Sequence, residues 1–169
     1  MNVKFLNPFV EAASEVLKAE VNLNISRGNL SMQKSSLTAD DVTVMISLVG
    51  NVQGVVLYGM STNTSISIVS RILGQEFSDF DTLAQSGVAE IGNVITGRAT
   101  IKLSEAGYQA NISPPTLIIG RGIQVSTLDF PRLIVPLVTE AGDIMVHLAL
   151  RESPPGAPAG NFIQLNEMK

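Results

Sequence analysis

Cysteine is absent from all 169 residues, which removes disulfides, thiol nucleophiles and thiolate metal sites together and leaves the redox compartment open. A single histidine argues against histidine-based metal coordination as well. Positive charge is scarce: 11 basic side chains against 15 acidic ones give a net charge of −4, so no cationic footprint is available for nucleic-acid or anionic-lipid phosphates. No apolar run approaches the roughly 18 residues of a membrane span. Residues 1–6 carry a lysine but neither an apolar stretch nor a small-residue cleavage site. The expectation is a soluble, cytoplasmic protein that contacts neither nucleic acid nor membrane. There is no glycine-rich phosphate loop and no internal repeat. What is present is a chain of one-domain size with 45% hydrophobic residues, whose partner is a protein or a small molecule.

Periodicity places the elements. Asn7-Pro8 predicts a helix start, the amide acting as N-cap and the proline standing where its missing N–H costs nothing. Phe9, Ala13, Val16, Leu17 and Glu20 then follow helical spacing. Residues 21–25 alternate and predict a short strand; residues 26–38, polar and glycine-containing, predict a loop or a weak edge strand. Val42, Val44, Ile46 and Leu48 are apolar at every second position, and Gly50-Asn51 separates them from residues 52–60, which predicts an antiparallel hairpin. Ser61-Thr62-Asn63 supplies caps for a short helix with Ile66, Val69, Ile72 and Leu73 inward and Gly74 as its left-handed terminator. A long helix follows over roughly residues 82–106, capped by Asp81 and closed by Gly107. Asp79 and Asp81 are read as capping carboxylates, and no metal is assigned to the chain.

Strands are expected at 110–112, at 117–125 with a bulge at Gly120-Arg121-Gly122, at 133–138 and at 144–150, the last two joined around Ala141-Gly142. Pro136 marks an edge or a bulge. Together these give an α+β, two-layer architecture: a mostly antiparallel sheet of about six strands against two long helices and one short helix, because no βαβ alternation forces a parallel sheet. Residues 1–152 read as one domain and residues 153–169, rich in proline and glycine, as a flexible tail with a short apolar segment at 162–165. Met45 and Met145, out of phase with the inward residues, keep the second sheet face from being fully polar and make it, or the sheet edges, a candidate homodimer contact. His147, alternating with Ile144, Val146 and Leu148, reads as a strand residue on that other face.

The long helix carries the chemistry. At about 100° per residue, Ala84, Val88, Ile91, Ile95 and Ala99 cluster within roughly 80° and define its buried stripe. With Ser86 at zero, Glu90 falls near roughly 40°, Asn93 near −20° and Gly97 near 20°, so the four face outward together. A solvated surface is the ordinary explanation of such a polar stripe. Two of its members are poor choices for that purpose, since asparagine is a middling helix former and glycine in a helix interior costs about 1 kcal/mol relative to alanine. Close approach by a partner would rationalise both.

Ser86-Gly87-Val88-Ala89-Glu90-Ile91-Gly92-Asn93 resembles the signature of the CheC/CheX/FliY family of chemotaxis phosphatases: an acidic residue or serine, three residues, glutamate, two residues, asparagine. The order of elements is similar over nearly all of residues 1–150. The family signature also includes a proline a little over twenty residues past the asparagine, and Pro114-Pro115 stand at nearly that distance, offset by about a residue. CheC and FliY usually carry the signature twice, whereas the first helix here has no Glu-x-x-Asn pair, so the single copy resembles CheX. The resemblance implies a CheC-like fold and a phosphatase that hydrolyses the aspartyl phosphate of a CheY-like response regulator without a covalent intermediate. It implies no cofactor in this chain and Mg2+ in the regulator. Asn93 would position the water and Glu90 would pair with the regulator's active-site lysine, while Ser86 and Gly97 are expected to touch the partner. The alternative is a non-catalytic regulator-binding or dimerisation module on the same fold.

Overall fold

Strict alternation in the central hairpin decides which face of the sheet is dry, and the rest of the chain is arranged on that face. The computed structural model describes residues 3–34, 36–128 and 130–155. After one turn of 3-10 helix at Val3–Phe5 come α1 (Leu6–Val21) and three short strands, β1 (Ser26–Arg27), β2 (Ser31–Gln33) and β3 (Leu37–Thr38). The hairpin β4 (Val42–Gly50) and β5 (Val52–Met60) leads into α2 (Thr62–Leu73) and α3 (Thr82–Glu105). The chain returns through β6 (Ala110–Ile112), β7 (Thr116–Ile119), β8 (Gln124–Val125), β9 (Arg132–Thr139) and β10 (Gly142–Glu152).

The main sheet is antiparallel in every pairing, in the order β1-β9-β10-β5-β4-β6, with β2 following β1 along β9 and β7 following β6 along β4. It is therefore six strands wide, and the two-layer α+β architecture read from the sequence is the one adopted. β3 and β8 pair as a separate ribbon. Val42, Val44, Ile46 and Leu48 are no more than 1% exposed and face the helices. They share a core with Val56, Tyr58, Val146 and Leu148, with Phe9, Ala13, Val16 and Leu17 of α1, and with Ala84, Val88, Ile91, Ile95 and Ala99 of α3. Each buried large aliphatic contributes roughly 1.5–3 kcal/mol relative to exposure, so this interface is what holds α3 in place.

Four local expectations are corrected. Helix α1 begins at Leu6 with Phe5 as an N-cap that makes no side-chain cap bond, so Asn7 lies inside the first turn. Burial of Phe5 and Leu6, 2% and 4% exposed, outweighs a cap of about 1 kcal/mol. The strand expected at 21–25 is the end of that helix: Val21 is its last residue, Asn22 turns left-handed at φ 53°, and the Leu23 N–H donates to the Leu17 carbonyl at 3.0 Å. The alternation there reports Val21 and Leu23 tucked into the core. In α2 the buried positions are Thr64, Ser65, Ile68 and Val69, whereas Leu73 is 42% exposed, because small polar residues share the inward stripe and hide it from a reading based on hydrophobicity. Ser61 and Gly74 act as the expected caps.

The bulge is also displaced. Ile112 pairs with Leu48 but Thr116 pairs with Met45, so three residues, Ser113 to Pro115, oppose two on β4. The prolines supply no N–H to the ladder, which is why the extra residue falls there. Past Gly120 the chain leaves β4 and β8 pairs with β3 instead. Pro136 lies opposite the break between β1 and β2, where its carbonyl accepts the Gly28 N–H at 2.8 Å. Of the expected tail, Ser153 is fixed by hydrogen bonds to Gly50 and Asn51; residues 156–169, including 162–165, lie outside the described residues.

The second sheet face is apolar and largely covered. Leu57, Ile134, His147 and Ala149 are at most 7% exposed there. Met45, Val55, Leu57, Val125 and Phe130 line a cavity of about 380 Å³ over it, with the Arg151 guanidinium 4.2 Å from the Phe130 ring centroid. The Nδ1 of His147 has no hydrogen-bond partner among the described residues. Burial, and then the Arg132 charge, push its pKa from 6.5 down to about 4. The folded protein keeps this imidazole neutral while the unfolded chain protonates it near pH 6.5, so stability is unaffected above neutrality and erodes as pH falls from about 6.5 to about 4. The loss is at most about 3 kcal/mol. Urea unfolding at pH 7 and pH 4.5 should show a smaller acid-induced loss for His147→Leu than for the native chain, and equal losses would refute this assignment.

Candidate functional site

Helix α3 is placed by contacts along its inner side. Asp81 accepts from the Ala84 N–H at 2.8 Å, and the Tyr108 N–H closes the other end on the Leu103 carbonyl at 2.8 Å. Midway, Thr96 Oγ1 donates to the Gly92 carbonyl at 2.8 Å and lies 2.8 Å from the Tyr58 hydroxyl. With the threonine proton committed, Tyr58 is the donor of that second bond. Its burial raises its pKa above the usual tyrosine value, so the donor keeps its proton. This fully buried peg ties the middle of α3 to β5 and fixes the helix rotation.

Glycines set the closeness of the packing. A Cβ at Gly87 would stand 2.9 Å from Cγ2 of Val69 on α2, and one at Gly92 would stand 2.8 Å from Cγ1 of Val44 on β4. On the flank toward α1, Lys102 meets Glu15 at 2.7 Å and Glu11 at 3.5 Å, and Arg98 meets Glu15 at 3.2 Å. The Lys102 hydrogen bond is the main cause holding the Glu15 carboxyl below its ordinary pKa. These are solvated pairs that orient α1 against α3 more than they stabilise the fold.

The outer side carries the stripe read from the sequence. Ser86 and Glu90 are exposed, Asn93 and Gly97 half-buried, and the five residues predicted to be buried are buried. Side chains one turn apart on such a stripe have Cβ atoms about 5–6 Å from each other. Among the described residues, the side chains of Ser86, Glu90 and Asn93 take part in no hydrogen bond or ion pair within the chain. A Cβ at Gly97 would meet nothing within 4 Å. Unlike Gly87 and Gly92, this glycine has no packing reason inside the chain. Pro114 and Pro115 belong to the sheet-edge bulge and not to this helix face.

Two further members escape a reading of the sequence for polar positions alone. Leu83 and Ile101 are 52% and 57% exposed and lie at roughly 60° on the same projection, beside Glu90. The helical wheel that groups the polar residues finds them too once apolar positions are sought on the outward side. Among the described residues no three histidine, cysteine, aspartate or glutamate side chains come together as a possible metal site, and Asp81 is engaged as a cap. No helix among them is long and apolar enough to cross a membrane. The stripe is a ridge and not a cleft, so its carboxylate, carboxamide and hydroxyl cannot enclose a small substrate by themselves. They suit a partner that brings the concave half.

A family model described as chemotaxis phosphatase CheX matches residues 42–138, a span that contains β4, β5, α2 and all of α3. The CheY-P phosphatase CheX of Thermotoga maritima is 24% identical over 152 residues, covering 89% of this chain and 98% of that protein. Among solved structures, a CheC-like superfamily protein from a Shewanella species superposes with a TM-score of 0.81 at 26% identity, over 89% of this chain and 99% of its own. The CheX of a CheX–CheY–BeF3–Mg2+ complex from Borrelia burgdorferi gives a TM-score of 0.75 at 30% identity, over 89% of this chain and all of its own.

Proposed function

This chain belongs to the chemotaxis phosphatase CheX family, and from that membership we propose that α3 docks on a phosphorylated CheY-like response regulator and positions the water that hydrolyses its aspartyl phosphate. The observation that carries the reading is the outward stripe of α3, whose polar groups are left unpartnered by their own chain beside a glycine that the fold does not require. A relative of the same fold has been captured with CheY, BeF3 and Mg2+, which supports a regulator as the partner.

In this reaction water attacks phosphorus in line with the aspartyl oxygen, the P–O bond to the carboxylate breaks, and the carboxylate departs with the electron pair. The water's protons pass to solvent and to the phosphate formed. The regulator supplies Mg2+ and a lysine to neutralise the charge on the phosphoryl group. Asn93 accepts a proton of the attacking water in a hydrogen bond to its carboxamide oxygen and presents N–H groups toward the phosphoryl oxygens, staying neutral beside a dianion. Glu90, one turn away, pairs with the lysine and sets the register of the docked helix. Ser86 extends the polar contact, and Gly97 lets the backbones approach. No covalent intermediate on this chain is required.

Catalytic amounts of the protein should accelerate phosphate loss from a phosphorylated CheY-type regulator, followed by release of inorganic phosphate. Binding without acceleration would favour the non-catalytic module instead. Gly97→Ala separates folding from docking: with open space for the Cβ it should raise unfolding stability by about 0.5–1 kcal/mol while weakening the regulator complex. A variant that is more stable and binds as well as the native chain would remove Gly97 from the interface.

A further inference from the structure

The two aliphatic side chains that α3 leaves exposed both stand on the docking stripe, one near each end. Leu83 is 52% and Ile101 57% exposed; Leu83, Glu90 and Gly97 repeat every seven residues along one line, and Ile101 follows one turn later. A single exposed leucine needs no explanation. Two branched aliphatics bracketing Glu90 and Gly97 on one line, with Asn93 beside it, do, because neither packs on its own chain as the stripe beneath does. They stand eighteen positions apart, which corresponds to about 27 Å of helix, close to the diameter of a small domain. One partner domain can therefore touch both ends while its phosphoryl site lies against the middle.

We propose that Leu83 and Ile101 are the two apolar ends of the footprint on which the response regulator sits, each covered by an apolar patch at opposite rims of the regulator's phosphoryl pocket. The inference rests on the docking reading above and adds the residues that set affinity. Apolar contacts at the two ends exclude water from around the central ion pair and carboxamide, which strengthens those contacts. Neither side chain reaches the reacting atoms, so both act on KM and leave kcat alone.

The test uses Leu83→Gln, Ile101→Gln and the double variant, since glutamine keeps helix propensity and adds no charge. Leu128→Gln, at a leucine 79% exposed outside α3, serves as control, and thermal melts monitor folding. Dephosphorylation kinetics against a phosphorylated CheY-type regulator should give KM raised about fivefold by each substitution and about twentyfold by both, with kcat within about twofold and the control unchanged. An unaltered KM in the double variant, with Asn93→Ala inactive, overturns the apolar ends and leaves the docking face standing. An unaltered KM with Asn93→Ala still active overturns the docking reading itself. A fall in kcat at constant KM would also overturn the proposal.

Discussion

Alanine at position 93 is expected to slow the catalysed dephosphorylation of a CheY-type regulator by at least about 100-fold while changing complex formation by less than about threefold. The side chain is half-buried, points off α3 and has no partner in its own chain, so removing its carboxamide breaks no internal bond and leaves no cavity. What is lost is the alignment of one water with the phosphorus–oxygen bond, an effect worth several kcal/mol when attack geometry is otherwise left to diffusion. Asn93→Asp should fail as badly despite its similar shape, because a carboxylate next to the phosphoryl dianion is repelled and no longer donates. Decay of the phosphorylated regulator at saturating protein is the measurement. Equal decay with native and Asn93→Ala protein would end the catalytic assignment.

Glu90→Ala should act on the other half of the interaction, weakening the complex by about 100-fold, because truncating one member of a desolvated charge pair costs roughly 2–5 kcal/mol. The native complex should loosen as salt rises, and the variant should be nearly insensitive over the same range. Glu90→Gln, which retains a hydrogen-bonding oxygen, should fall between. Titration of a fluorescent regulator carrying BeF3 would read affinity apart from turnover. A variant that binds normally and turns over slowly would reverse the roles given to Glu90 and Asn93.

The outward placement of these two residues is legible in the sequence because helical spacing is a strong constraint over 24 residues and because the caps Asp81 and Gly107 stand where the spacing requires them. The hairpin at 42–60 is legible for the same reason, with period two in place of 3.6. Where local pattern misleads, two physical effects compete. At residues 21–25 the alternation of Val21 and Leu23 comes from a helix end folding inward, and only the left-handed Asn22 distinguishes that from a strand. At the bulge, glycines at 120 and 122 draw attention from the Pro114-Pro115 pair, whose missing donors set the register shift. Beneath the site, the Tyr58–Thr96 bond joins residues 38 apart in sequence, and nothing in local pattern could pair them. The exposed Leu83 and Ile101 are passed over when apolar positions are sought only on the inward side.

The sheet edge formed by β1, β2 and β9 has a consequence for how the molecule comes apart. β1 is two residues long and β2 three, and they pair with β9 across about a hundred residues of chain, as in Ser26 with Val138 and Ser31 with Ile134. Apart from those with α1, the main contacts that seat α3 join elements lying between residues 42 and 119. Closing that distant edge is entropically slow and releasing it exposes little apolar surface, so fraying begins there and can proceed as a local opening. Helix α3 rests toward the other end of the sheet, on β4, β6 and β7, with the Tyr58–Thr96 bond reaching β5. Partial loosening at that edge thus leaves the outward stripe of α3 on its supporting strands.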